Sequence, residues 1–319
     1  MLARLRAERP TVYGAVLIVF AMSVIGFLDN VVRVIAGDIG LWQFHLLRSA
    51  IAVPVLWGFA SATGIALAPR RWGPVTLRTA FLTASMLLYF AALPMMPIAQ
   101  AAAGLFTAPI FVLVFSVVLF GLRIGLWRVA AVVFGFAGVV LILRPEHSGF
   151  NATFLVPVAA GALYALSTVA TRQWCAEEGT SALLFSSFLA LGLAGLAGAA
   201  VLAAFPAPPG FLERAPFLFS PWGAPGLPVW GLIVLQAFAS LAAVAALTRG
   251  YQSAETSRIT VFEYSFLIMA TFWGWMLWGT VPRPSDVIGI AMIIVSGSVI
   301  AIRGARAGAD EALVPPPAR

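Results

Sequence analysis

The feature that most limits what this chain can fold into is the recurrence of apolar stretches, separated by short segments carrying turn or charge signals. Crossing a hydrocarbon core about 30 Å thick takes about 20 mostly apolar residues at a helical rise of about 1.5 Å each. Ten segments qualify: Thr11–Ile35, Leu41–Leu67, Val75–Met95, Ile98–Phe120, Leu126–Leu143, Ala152–Trp174, Ser181–Phe205, Leu227–Gly250, Thr256–Gly279 and Pro284–Ile302. Lipid offers no partner to backbone N–H and C=O groups, so such segments fold as helices. The expected class is an all-α integral membrane protein of ten transmembrane helices. Composition agrees, since 61% of the 319 residues are hydrophobic and 10% charged, against about 25% charged in soluble domains.

The net charge of +7 does not point to nucleic acid, because every basic residue is arginine and most fall between the apolar runs. With the N-terminus inside, Arg4, Arg6, Arg9, Arg70, Arg71, Arg78, Arg123, Arg128, Arg172, Arg249, Arg258, Arg303, Arg306 and Arg319 belong to the inner side. Arg144, Arg214 and Arg283 lie outside, 14 against 3, with Arg33 and Arg48 left in the membrane. Positive residues mark cytoplasmic loops. Both termini are therefore expected in the cytoplasm, as an even number of spans allows. The run after Arg9 is too long for a signal-peptide core and reads as a retained first helix. Cys175 is the single cysteine, which excludes a disulfide within the chain and any CxxC site.

Pro206–Gly226 holds six prolines and reads as an outer loop too broken for a helix, anchored at the interface by Phe211, Phe217, Phe219 and Trp222. Ala307–Arg319 reads as a disordered cytoplasmic tail. The fifth span ends Gly138-Val-Val-Leu-Ile-Leu-Arg144 and the tenth Gly297-Ser-Val-Ile-Ala-Ile-Arg303, with Gly and Arg at the same separation. The fourth span, small-residue rich from Ala99 to Gly104 and followed by Pro109, has a polar counterpart in the ninth, from Ser253 to Ser257 and then Tyr264. Halves of five spans are odd-numbered, so related halves must be inverted, as in many secondary transporters. The expected division is a first repeat over 1–148, a second over 149–304 and a tail over 305–319.

Several runs together give the chain a family likeness. Phe44-His-Leu-Leu-Arg48-Ser-Ala-Ile-Ala52, Leu88-Tyr89-Phe-Ala-Ala-Leu-Pro94, Pro97-Ile-Ala-Gln-Ala-Ala, Ala108-Pro109-Ile110 and the Gly138–Pro145 ending resemble the EamA type of the drug/metabolite transporter superfamily, most of all its YddG-type amino-acid exporters. The resemblance implies two inverted five-helix repeats around a central path. It also implies export of amino acids, aromatic and other hydrophobic or neutral ones, or of related metabolites across a bacterial inner membrane by alternating access. The Gly-Glu signature usual at the end of the family's fourth span is absent, for that place reads Leu119-Phe120-Gly121-Leu122-Arg123. No mechanism resting on that carboxylate is carried over.

Gly26–Ser49 puts Asp29, Asn30, Arg33, His45 and Arg48 in or beside hydrocarbon, where an ionisable group costs about 3 kcal/mol on insertion scales. Helical rise sets Asp29 about 27 Å beyond Thr11, with His45 and Arg48 about 6 to 10 Å below the same outer face. One reading is an ion pair among Asp29, Arg33 and Arg48 that clasps two helices. The other is an outer gate or a site for a substrate carboxylate, with Arg33 or Arg48 as the cation. His45 is a candidate for proton coupling, its plainer role being a satisfied hydrogen bond. Glu263 either pairs with Arg258 or lines a cavity.

Tyr89, Phe106, Tyr164, Trp230, Gln236, Tyr264 and Phe266 are candidates for the walls and the few polar groups of a substrate pocket, against simple packing. Pro54 and Pro109 are candidate kinks. The Gly192, Gly195, Gly198 series and the Gly121, Gly125 pair suit close helix approach. No metal site and no cofactor is expected, and HExxH, GxSxG, Cys/His pairs and acid clusters are all missing. Glu146 and His147, adjacent on a short turn, read as solvated, and the Asn151 sequon as a chance match. The expected partners are a small-molecule substrate and the lipid bilayer, with the monomer as the working unit. Transport of another metabolite or drug, an intramembrane enzyme and a passive scaffold stand as alternatives.

Overall fold

The structure, a computed structural model, describes residues 10–120, 126–143, 152–253 and 260–312. Arg4, Arg6, Arg9, the Gly121, Gly125 pair, Arg144, Glu146 with His147, Asn151, Arg258 and residues 313–319 lie outside them. Among the described residues every regular element is helical. The order is α1 Pro10–Asp38, α2 Leu41–Thr63, α3 Trp72–Ala92, α4 Ile98–Leu105, α5 Ala108–Phe120 and α6 Leu126–Leu143. After the 3-10 turn Ala152–Phe154 come α7 Leu155–Trp174, α8 Thr180–Ala204, α9 Pro209–Arg214, α10 Pro216–Phe219 and α11 Leu227–Ser253. The 3-10 turn Thr260–Tyr264 then leads into α12 Ser265–Trp278 and α13 Pro284–Ala312.

Among the described residues six stretches are long and apolar enough to cross a bilayer: Val12–Asp38, Leu41–Thr63, Trp72–Ala92, Ile98–Leu119, Thr180–Ala204 and Leu227–Gly250. Shorter apolar helices run over Val129–Ile142, Leu155–Thr171 and Pro284–Val299. The chain is an all-α, multi-pass membrane protein.

The ends of the helices follow local chemistry. α2 stops where Gly64 takes the left-handed conformation (φ 70°), its N–H bonding back to Ala60 O, a geometry that costs a side-chain-bearing residue more. Gly279 ends α12 in the same way at φ 63°. Pro54 sits inside α2, which continues through it. The fourth span, by contrast, is interrupted. α4 ends at Phe106, Thr107 Oγ1 donates to Gly104 O at 2.6 Å, and α5 restarts with Pro109 in its first turn, a position where the missing N–H costs nothing. Pro206–Gly226 departs from expectation in the opposite sense. Pro209 and Pro216 each occupy the first position of a short helix, α9 and α10, so prolines that forbid a long helix start two short ones. α13 runs on to Ala312, into the stretch assigned to the tail.

The described chain divides into two compact units. The first holds 10–27, 126–143, 242–253 and 260–312, and the second holds 28–120 and 152–241. In the first, α6 packs on α13 at glycine level: a Cβ on Gly138 would lie 2.7 Å from Gly289 O, and one on Gly289 2.6 Å from Gly138 O. Tyr264 covers Gly297. In the second, α2 packs on α8, and α3 packs on α7 and α8. The glycine series on α8 sets the first contact: a Cβ on Gly192 would lie 2.7 Å from Ser49 Cβ, and one on Gly195 2.5 Å from Trp42 O. Lipid gives helices no hydrophobic reason to associate, so contact this close is what holds them together. Ser85 Oγ adds a buried bond to Ala160 O at 2.7 Å. Cys175 caps α7 through its N–H to Thr171 O, and burial pushes its thiol up from the ordinary range.

Candidate functional site

The site grows from one face of α2 in the second unit. Phe44 and Arg48 are four residues apart and share that face. Arg48 is only 5% exposed. Its guanidinium carbon lies 5.1 Å from the ring centroids of Phe44 and Phe90 and 5.6 Å from that of Phe188. Phe90 comes from α3 and Phe188 from α8, so three helices build an aromatic cage around one cation. Each ring face contributes about 2 kcal/mol when water is excluded. Rings take up charge, but they leave N–H groups without in-plane acceptors.

Those donors are largely unmet. Arg48 Nη2 reaches His45 Nδ1 at 3.4 Å, a long contact, and Arg48 Nε is buried with no partner among the described residues. Because a guanidinium only donates, His45 Nδ1 must accept, which leaves the imidazole proton on Nε2. That atom too is buried and unpartnered, as is Ser49 Oγ. His45 is fully buried, its ring 5.1 Å from Phe44 and 5.0 Å edge-on to Phe90. An unmet buried donor costs about 1–3 kcal/mol, and a charged one more. Within five residues of α2 the chain bears that cost three times.

Asp29 does not relieve it. The carboxylate is 6% exposed and accepts a hydrogen bond from Tyr89 Oη at 2.7 Å. Among the described residues no ion pair within 4 Å joins it to Arg48. The turn of α1 bearing Asp29 is fixed by Gln236 of α11, 1% exposed, whose Nε2 donates to Leu28 O at 2.6 Å.

One segment covers the start of α2. Gln43 and Gly223 exchange two hydrogen bonds, Nε2 to the carbonyl at 2.7 Å and N–H to Oε1 at 2.9 Å. Trp42 Nε1 donates to Leu218 O at 2.9 Å, and Gly226 N–H donates to Asp38 Oδ2 at 3.2 Å. Phe217 is 3% exposed and joins the core beside Phe44, centroids 6.5 Å apart. The interfacial role read for Phe217 is thereby corrected: the ring plugs inward, because α10 turns it toward α2. Phe211 and Trp222 remain exposed, and Phe219 pairs edge-on with Phe211.

Of the residues singled out from the sequence, Asp29, His45, Arg48, Tyr89 and Gln236 are gathered here, and Asn30 is buried on the same turn of α1 as Asp29. Arg33 is exposed, outside the cage. Phe106 stands at the break between α4 and α5. Tyr164 and Trp230 are 41% and 40% exposed. Glu263 and Tyr264, half-buried, and Phe266, buried, belong to the first unit. Sequence reasoning passed over Phe44, Phe90 and Phe188 as cage walls. The four-residue spacing of Phe44 and Arg48 was a usable signal; nothing local marked Phe188. Arg78, assigned to the inner side and within the third expected span, lies in α3 and is half-buried.

Comparison with known proteins follows the same line. Residues 12–144 match the model of the EamA-like transporter family. Over 289 residues the chain is 26% identical to the pseudopaline exporter CntI of Pseudomonas aeruginosa, covering 89% of this chain and 94% of that one. Over 259 residues it is 26% identical to a riboflavin transporter of Vibrio cholerae, covering 80% of each. A solved crystal structure shares the fold with a TM-score of 0.62 at 21% identity, over 92% of this chain and 97% of the other. Both relatives are transporters by name.

Proposed function

We propose that this chain is an EamA-type transporter of the drug/metabolite superfamily, a secondary transporter that exports small carboxylate-bearing metabolites, amino acids foremost. The reading includes ten spans in two inverted five-helix repeats, both termini in the cytoplasm of a bacterial inner membrane, alternating access, and a working monomer. One observation carries it: Arg48 is buried among three rings with its Nε unmet and without a carboxylate in contact. A substrate carboxylate supplies the acceptors that the protein withholds. The rings suit an apolar side chain beside that carboxylate. Because no protein carboxylate neutralises the site permanently, binding and release each change its charge, which a carrier needs and a fixed ion pair lacks.

The test is counterflow in proteoliposomes with a panel of amino acids. Phenylalanine is expected to exchange saturably and phenethylamine, which lacks the carboxylate, to neither exchange nor compete. Competition by phenethylamine equal to that of phenylalanine would sink the carboxylate reading. A second reading, favoured by the names of the relatives, is transport of a larger metabolite such as riboflavin. Including riboflavin in the panel decides between the two.

A further inference from the structure

Buried polar groups that the cage does not use lie on α3. A threonine hydroxyl inside a helix commonly bonds back to the carbonyl four residues earlier, and Thr63, Thr168, Thr171, Thr248 and Thr271 all do so. Thr79 and Thr83 do not. At 4% and 8% exposure, their hydroxyl oxygens are buried and have no hydrogen-bond partner among the described residues. Valine has the same shape and would carry no such penalty. The two threonines are one turn apart on one face of α3, and Phe90, a wall of the cage, follows Thr83 two turns later on that face.

Arg78 precedes Thr79 in α3, about a quarter turn round the helix from it. Nε donates to Thr171 Oγ1 at 3.0 Å, and Nη1 donates to Ser187 Oγ at 2.8 Å and to Leu183 O at 3.4 Å. These bonds hold the guanidinium between α7 and α8, while Nη2 has no partner among the described residues. Ser187 is the chain neighbour of Phe188, another wall of the cage. A second cation and two unmet hydroxyls therefore lie along the same helices as the first, displaced toward the Trp72 end of α3.

We infer that Arg78, Thr79 and Thr83 form a second station for the carboxylate of the transported substrate. The inference rests on the reading that Arg48 holds that carboxylate. Hydroxyls that donate and a guanidinium edge that donates match the lone pairs of an oxyanion. In the proposed orientation the Trp72 end is cytoplasmic, so an exported substrate meets this station before the cage.

The test uses radiolabelled phenylalanine in proteoliposomes of defined orientation, comparing wild type, Arg48→Gln and the double variant Thr79→Val with Thr83→Val. The double variant is expected to raise KM about tenfold at the cytoplasmic face alone, with Tm equal to or above that of wild type. An unchanged KM at both faces, or an equal rise at both, overturns the second station. So does a lowered Tm with unchanged KM, the mark of a purely structural pair. Normal transport by Arg48→Gln overturns the cage reading and this inference with it. Loss of transport in Arg48→Gln beside an unaltered double variant removes the second station only. Absence of phenylalanine counterflow in wild type removes both for this substrate.

Discussion

Arg48 and Arg78 are the same side chain in two different settings. Arg78 is held by oxygen: a threonine hydroxyl, a serine hydroxyl and a carbonyl fix two of its nitrogens between neighbouring helices. Arg48 is held by rings, with one long contact to a histidine and a buried nitrogen that meets nothing. The first arrangement is a fastening with one edge left over; the second is a charge kept in reserve. The difference teaches that burial alone does not say how a cation is used. What separates the two is how many donors the protein leaves unmet, and that number is greater where the cation is less exposed.

The largest effect should come from removing the reserved charge. Arg48→Gln is expected to lower counterflow by at least about 30-fold, because truncating one member of a buried charged contact costs about 2–5 kcal/mol. Its Tm should stay level or rise, since a poorly satisfied buried ion is lost. A fall in Tm of several degrees would break the contrast with Arg78. Arg78→Gln is expected to differ in stability, losing about 2–3 kcal/mol from its three bonds, read as a lower Tm in detergent, and to raise KM at the cytoplasmic face.

A smaller effect, about 5- to 30-fold on KM, should follow Phe188→Leu, which keeps the packing and removes one ring worth about 1–2 kcal/mol. Wild-type KM in that variant would mean that the cage is packing only. Tyr89→Phe deletes the donor to Asp29 and leaves the ring, costing about 1 kcal/mol or somewhat more. The expected sign is a weaker substrate affinity as the freed carboxylate turns to Arg48 and competes for it. The smallest effect is expected from Gln43→Ala, which unties Gly223. Faster proteolysis after Arg214, with KM within about threefold of wild type, would separate the covering segment from the cage.

Much of this was legible in the chain itself. Apolar runs gave the helices and most of their ends, because in lipid the backbone has no alternative. The charged cluster around Asp29, His45 and Arg48 stood out for the same reason. What escaped was contact between distant segments. Phe188 lies 140 residues from Arg48, and although Ser186 and Ser187 precede it, nothing in its own segment ties it to that cation. Arg33 shares a helix face with Asp29, yet the chain cannot say which of two similar arginines turns inward. Proline misled in the loop, where its count argued against helix and its positions, 209 and 216, started two.

Cys175 offers a practical handle on these questions. Its thiol is buried, 2% exposed, and held more protonated than usual, whereas maleimides and spin-label reagents attack the thiolate. A cysteine placed at the exposed Trp222 of the outer segment should therefore label selectively in an otherwise native background. The protein is thus suited to distance measurements between bound and free forms without first deleting its own thiol.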